Sequence, residues 1–160
     1  MIKKIVLATL LTLPLIAYEI VIDKTFIAPK IDKESIFTRD NSKEIVTDSV
    51  TGLMWQDDSS AKSVKKDWED AKAYCQNLTH GGYNDWYLPS ISELESLADV
   101  SKQNPAIKEG FKNVASSYYW SSSPDVSGSK GAWSVYFSYG NSYSYYKTNE
   151  YYVRCARAGQ

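Results

Sequence analysis

Cys75 and Cys155 are the only cysteines of the 160-residue chain, and 80 positions separate them. What they can do depends on the compartment, and residues 1–17 speak to that. Lys3 and Lys4 supply a short cationic start, residues 5–16 carry no charge, and Ala17 offers a small residue for cleavage. This is the pattern of a secretory signal peptide cut after Ala17. The apolar run, about 12 residues, is shorter than the roughly 20 that a spanning helix needs, so no stable membrane span is expected after cleavage. No cysteine follows the run, which argues against a lipid-anchored amino terminus. Outside the cytosol two cysteines pair by default. A bridge between them would close a long loop and contribute on the order of 4 kcal/mol in the chain-entropy picture. Two free thiols are the alternative.

Composition then excludes several partners. The formal net charge is −1, and removal of Lys3 and Lys4 leaves 16 basic against 19 acidic residues, about −3. A nucleic-acid partner would call for a basic surplus, so none is expected. With 43% hydrophobic and 14% aromatic residues the chain is too apolar to be disordered. The roughly 140 residues beyond the leader suffice for one core. The expected organisation is a signal peptide at 1–17, an N-terminal extension at 18–36 and one domain at 37–160.

The period of the sequence changes along that domain. Ile45-Val46-Thr47, a turn through Gly52, and Leu53-Met54-Trp55 predict a hairpin. Over 66–78, Trp68, Ala71, Cys75 and Leu78 recur at helical steps, with Asp67, Glu69 and Asp70 crowding the first turn. Gly81-Gly82 stops that helix. Ser90 and Glu93 form a capping box that starts a second helix over 91–100, with Leu94, Leu97 and Ala98 as its apolar stripe. Residues 101–117 read as loop, turning at Asn104-Pro105. The last third has the two-residue period of strands: Tyr118–Ser122, then Trp133, Val135 and Phe137 as the buried set against Ser134, Tyr136 and Ser138, then a turn at Gly140-Asn141 and a return strand through Tyr143 and Tyr145, then Tyr151–Arg157. An antiparallel meander preceded by two helices makes the class α+β.

Four blocks carry a resemblance. They are Val46-Thr47-Asp48 with Thr51-Gly52-Leu53-Met54-Trp55-Gln56, Trp86-Tyr87-Leu88-Pro89 followed by Glu93-Leu94, Tyr119-Trp120-Ser121-Ser122, and Val153-Arg154-Cys155-Ala156-Arg157. In this order they resemble the C-terminal domain family of the Legionella collagen-like adhesin, a domain of exported bacterial proteins. The resemblance implies a C-type-lectin-like fold, similar also to the sulfatase-modifying formylglycine-generating enzymes: a twisted antiparallel sheet with two flanking helices. Lectin-like domains commonly tie their first helix to their last strand by a disulfide, which would match Cys75 to Cys155. It also implies that Trp55, Trp68, Trp86, Trp120 and Trp133 are framework residues.

A formylglycine-generating-type oxidase would need two reactive thiols, which a structural disulfide removes. His80 has no positioned serine nucleophile such as a Gly-x-Ser-x-Gly turn, so it reads as a loop or helix-end residue and no catalytic residue is assigned. One His and two distant Cys cannot complete a structural zinc site, and the acidic-Pro-Asn loop of calcium-dependent lectins is missing, so no metal or cofactor is expected. Lys62, Lys65 and Lys66 form the one dense basic run; the overall acidity sets the chain apart from an adhesin associated with sulfated polysaccharides. Seven tyrosines between Tyr136 and Tyr152 remain. A tyrosine presents an apolar face and a hydroxyl tip, suited to a sugar ring or a protein surface. Alternation turns about half of them inward, and Tyr139, Tyr143 and Tyr145 around the Gly140-Asn141 turn are the binding candidates. The expectation is a non-enzymatic binding or adhesion module of the bacterial envelope, periplasmic or at the cell surface, recognising glycan or protein surfaces; an extracytoplasmic enzyme is the alternative.

Overall fold

A computed structural model describes residues 34–128 and 130–159. The leader expected at 1–17, and residues 18–33 of the extension, lie outside the described residues. In chain order the elements are β1 (Phe37–Asp40), β2 (Ile45–Asp48), β3 (Met54–Gln56), a 3-10 turn (Ser59–Lys62), β4 (Lys65–Lys66), α1 (Trp68–Gln76), α2 (Ile91–Glu95), β5 (Tyr118–Pro124), β6 (Gly131–Tyr136), β7 (Asn141–Tyr146), β8 (Tyr151–Tyr152) and β9 (Ala156–Arg157). The architecture is mixed α and β, mostly sheet, with two helices. Its strands divide between two sheets, ordered β1-β2-β3-β9 and β4-β8-β5-β6-β7.

Local signals set the helices. Asp67 caps α1 by accepting the Asp70 N–H at 2.9 Å. At α2 the Ser90 N–H donates to Glu93 Oε2 at 2.7 Å, while Ser90 Oγ accepts the Glu93 N–H at 3.3 Å. Glu93 also accepts the Tyr87 hydroxyl at 2.9 Å, and burial followed by that carboxylate pushes the phenol up to about 12. The second helix ends five residues earlier than its apolar stripe predicts. After Glu95 the backbone turns outward: Asp99 N–H bonds Ala106 O, Lys108 N–H bonds Leu97 O, and Ala98 bridges Ile107. Leu94 and Leu97 both reach the core by this route.

The expected meander is also interrupted. β5, β6 and β7 follow one another antiparallel, but β8 does not pair with β7. The turn after β7 passes over α1, where Trp68 N–H donates to Lys147 O at 3.0 Å. The chain is thereby carried to the far side of β5. There β8 runs parallel to β5 at Tyr119–Tyr152 and antiparallel to β4. β9 then closes the other sheet against β3.

Period-two alternation sends neighbouring residues into two cores. Ile45, Trp120 and Cys155 join Trp68, Ala71, Cys75, Trp86 and Val153 in one; Val46, Tyr119 and Ala156 join Trp55, Leu94, Leu97, Val135 and Phe137 in the other. Cys75 and Cys155 are bonded, with Cα atoms 5.5 Å apart, so α1 is fastened to the segment just before β9. Trp133 departs from its expected place. It is only half-buried, whereas Ala132 and Ser134 on the opposite side of β6 are fully buried, Ala132 in the core of Trp68 and Trp120.

A polar node sits between these cores. Asp57 and Arg154 are both fully buried, and Arg154 Nη1 meets Asp57 Oδ1 at 3.1 Å while its guanidinium lies 4.9 Å from the Phe111 ring centre. Asp57 also accepts Arg39 Nε at 2.6 Å and the backbone N–H groups of Lys112 and Asn113, each at 3.0 Å. Nearer the surface, Arg157 grips Asp85 with two bonds of 2.7 and 3.0 Å over the ring of Tyr83.

Several carboxyls are held below their ordinary value. For Asp85 the Arg157 guanidinium is the main cause. At Asp48 burial pushes upward, but the Val50 N–H and the Thr51 hydroxyl outweigh it. Groups of this kind stabilise the fold fully above the unfolded carboxylate value of about 4, and that contribution is lost as pH falls through the lower folded values. The urea midpoint is therefore expected to be flat above about pH 5 and to decline steadily below about pH 4. A midpoint that stays level through that acid range would remove these carboxylates from the account.

Candidate functional site

One face of the second sheet carries Trp120 and Ala132 into the first core and a set of tyrosines beside them, and its register decides which side chains stand there. Tyr118 pairs with Tyr136, Trp120 with Ser134, and across the next ladder Ser134 pairs with Tyr143 and Ala132 with Tyr145. Paired residues share a face, so Tyr118, Trp120, Tyr136, Tyr143 and Tyr145 lie on one side, while Tyr119, Val135 and Phe137 enter the core on the other.

The rings form one connected array centred on Tyr118. It stacks on Tyr136 at 4.3 Å and on Tyr151 at 5.0 Å, and meets Tyr145 edge-on at 5.0 Å and Tyr143 at 6.1 Å. Tyr136 extends the array to Tyr139 at 5.8 Å. These separations and tilts are those in which aromatic pairs attract. The Tyr145 hydroxyl donates to the Tyr118 oxygen at 3.1 Å. That bond, then burial and the neighbouring phenols, pushes the Tyr118 phenol well above its ordinary value, so it stays neutral. The surface combines flat apolar rings with hydroxyl tips.

The three expected binding residues are brought together in this array, though not equally exposed. Tyr139 is 49% and Tyr143 40% accessible, and both reach solvent. Tyr145 is half-buried, wedged against Tyr118, Tyr143 and Tyr151. Sequence reasoning passed over Tyr118 as organiser and Tyr136 and Tyr151 as members. Their alternation was visible; the register that aligns them across four strands was not. Tyr146, 67% accessible, is the most exposed tyrosine of β7.

The remaining candidates fall elsewhere. His80 lies in the loop after α1, with Nε2 3.1 Å from Glu44 O and its ring against Trp86. Lys65 sits over the Tyr152 ring at 4.7 Å, and the Lys66 carbonyl accepts the Trp120 indole N–H at 3.1 Å. Lys72 and Lys147 both approach the Trp68 ring, at 3.8 and 4.3 Å. Among the described residues no three His, Cys, Asp or Glu side chains converge as a metal site, and no helix is long and apolar enough to cross a membrane.

Compared with known proteins, the family profile described as the Lcl C-terminal domain matches residues 44–157. No curated protein matches the chain.

Proposed function

The chain belongs to the Lcl C-terminal domain family, and on that premise we propose that it is an exported, non-enzymatic recognition module whose tyrosine face docks on glycan or protein surfaces. The connected ring array carries this reading. Six tyrosines are fixed by mutual packing, with Tyr139 and Tyr143 reaching solvent at its margin. Tyrosines immobilised before binding lose little entropy on contact, which favours affinity. The family and the disulfide are consistent with a place outside the cytosol, periplasmic or at the cell surface. The domain is taken as 37–160, a lectin-like fold behind an extension and a cleaved leader. An oxidase of the formylglycine-generating kind is disfavoured because both sulfurs are spent in the Cys75–Cys155 bond.

A glycan array, followed by a binding screen against envelope proteins, tests the face. Tyr143→Ala is expected to weaken whatever ligand is found by about tenfold or more, as truncation of an aromatic anchor does. Tyr139→Ala should act in the same direction. Tyr145→Ala should lower both affinity and melting temperature, since that ring also packs the array. Undiminished binding in the Tyr143 and Tyr145 variants would remove the platform.

A further inference from the structure

Each sheet has two edges, and an unpaired edge strand invites another strand unless charge, shortness, proline or a covering segment blunts it. In the first sheet β1 carries Arg39 and Asp40, and Gly110 packs so close to it that a Cβ there would stand 2.7 Å from Phe37 O. β9 is two residues long, and Tyr87 covers it by exchanging backbone bonds of 2.8 and 2.9 Å with Ala156. In the second sheet β4 is only Lys65-Lys66. β7 has none of these protections among the described residues: Asn141–Tyr146 holds no charge and no proline, and pairs with β6 alone.

The ladder fixes which groups that edge has left over. Lys147 N–H donates to Lys130 O at 2.9 Å, and the Tyr143 carbonyl accepts Ser134 Oγ at 3.0 Å, so Asn141, Tyr143 and Tyr145 turn their backbone groups toward β6. Ser142, Ser144 and Tyr146 turn theirs the other way. Among the described residues the N–H groups of these three, and the carbonyls of Ser142 and Ser144, have no backbone partner. Tyr146 O accepts the Asn149 N–H at 2.9 Å and keeps a second lone pair.

We propose that this edge pairs with the β7 edge of a second copy of the chain, antiparallel about a twofold axis at Ser144. A twofold contact matches one surface with itself, so the edge must be its own complement. In this register Ser144 lies opposite Ser144 of the second copy and Ser142 opposite its Tyr146, and each such pair exchanges two hydrogen bonds, which uses every left-over group. An axis at Tyr143 would instead set Tyr146 against Gly140, whose N–H is already spent on Tyr136 O. The axis at Ser144 also places Tyr143 opposite Tyr145 of the second copy at a non-hydrogen-bonded position, with Cα atoms about 4.5 Å apart, where aromatic pairs attract. The exposed Tyr143 thereby gains a neighbour, and the ring arrays of the two copies meet. A neutral edge brings no like charges face to face, whereas the lysines of β4 would oppose one another. The pairing stands on the edge itself and holds whether or not the tyrosine face docks on anything.

Sedimentation equilibrium and amide hydrogen exchange, on protein produced from the full-length sequence, test the pairing together. Twice the chain mass is expected, with the Ser142, Ser144 and Tyr146 amides protected in that species alongside Tyr143 and Tyr145, which β6 already holds. Ser144→Cys, with diamide as oxidant, should join two copies through a disulfide, since hydrogen-bonded pairs hold Cα atoms about 5.5 Å apart; Asn141→Cys should not. Ser144→Pro removes an N–H that β6 does not use, so Tyr143 and Tyr145 stay protected while dimerisation weakens about tenfold or more. The mass of one chain at every concentration overturns the pairing. If the three edge amides are nevertheless slow, β7 is covered by residues of the same chain; if they slow only on adding another protein, the edge belongs to a foreign strand. Equal crosslinking of both cysteine variants, or a Ser144→Pro dimer as tight as wild type, would place the contact elsewhere and overturn it as well.

Discussion

Replacing both cysteines, Cys75→Ala with Cys155→Ala, is expected to lower the unfolding free energy on the order of 4 kcal/mol, the loop-closure entropy of an 80-residue ring. Both residues are fully buried among Trp68, Trp86 and Trp120, so the loss also loosens a packed cluster. For a domain of ordinary stability, about 5–15 kcal/mol, this is a large share of the whole. Urea denaturation of oxidised and reduced wild-type protein measures the same quantity without mutation. Coincident midpoints with and without reductant would show that the bridge does not constrain the unfolded chain. Thiol titration in denaturant should find none before reduction and two after it; two before reduction would return the oxidase to consideration.

Asp57→Ala is expected to cost about 3–5 kcal/mol, because it leaves the guanidinium of Arg154 buried without its carboxylate. Arg39 and the backbone N–H groups of Lys112 and Asn113 lose the same acceptor. The paired change Asp57→Ala with Arg154→Leu should be less harmful than the two single losses combined, since removing both charges abolishes the desolvation burden. Strict additivity in that cycle, or a single variant within about 0.5 kcal/mol of wild type, would show that the pair is not energetically coupled.

Residues with a local signature were legible in the sequence. The Ser90–Glu93 box, the Asp67 cap and the hairpin through Gly52 depend on neighbours within a few positions, and each stands where those neighbours imply. The cysteine pairing was legible through compartment chemistry and the resemblance. What failed depends on distant partners. The helix at Ile91 stops at Glu95 because Ala98 is drawn to Ile107, and no spacing within the helix announces that. Trp133 was placed inward with Val135 and Phe137, but it stays half-exposed while Ala132, on the opposite side of β6, joins the distant cluster of Trp68 and Trp120. For the candidate site, alternation marked Tyr139, Tyr143 and Tyr145 as worth watching. The organising role of Tyr118 required knowing that β8 crosses to the far side of β5 and brings Tyr151 with it. The pairing of Asp57 with Arg154, 97 residues away, carried no sequence signal.

The stretch Tyr151–Arg157 supplies β8 to one sheet and β9 to the other, and between them it carries Arg154 and Cys155. Every large subassembly therefore waits for the same seven residues. Without them neither sheet, nor the buried ion pair, nor the crosslink is complete. Completion of the fold thus rests on contacts far apart in sequence, a topology associated with slow folding. A nick or stop codon just before position 151 would therefore open both sheets and remove the ion pair and the crosslink together.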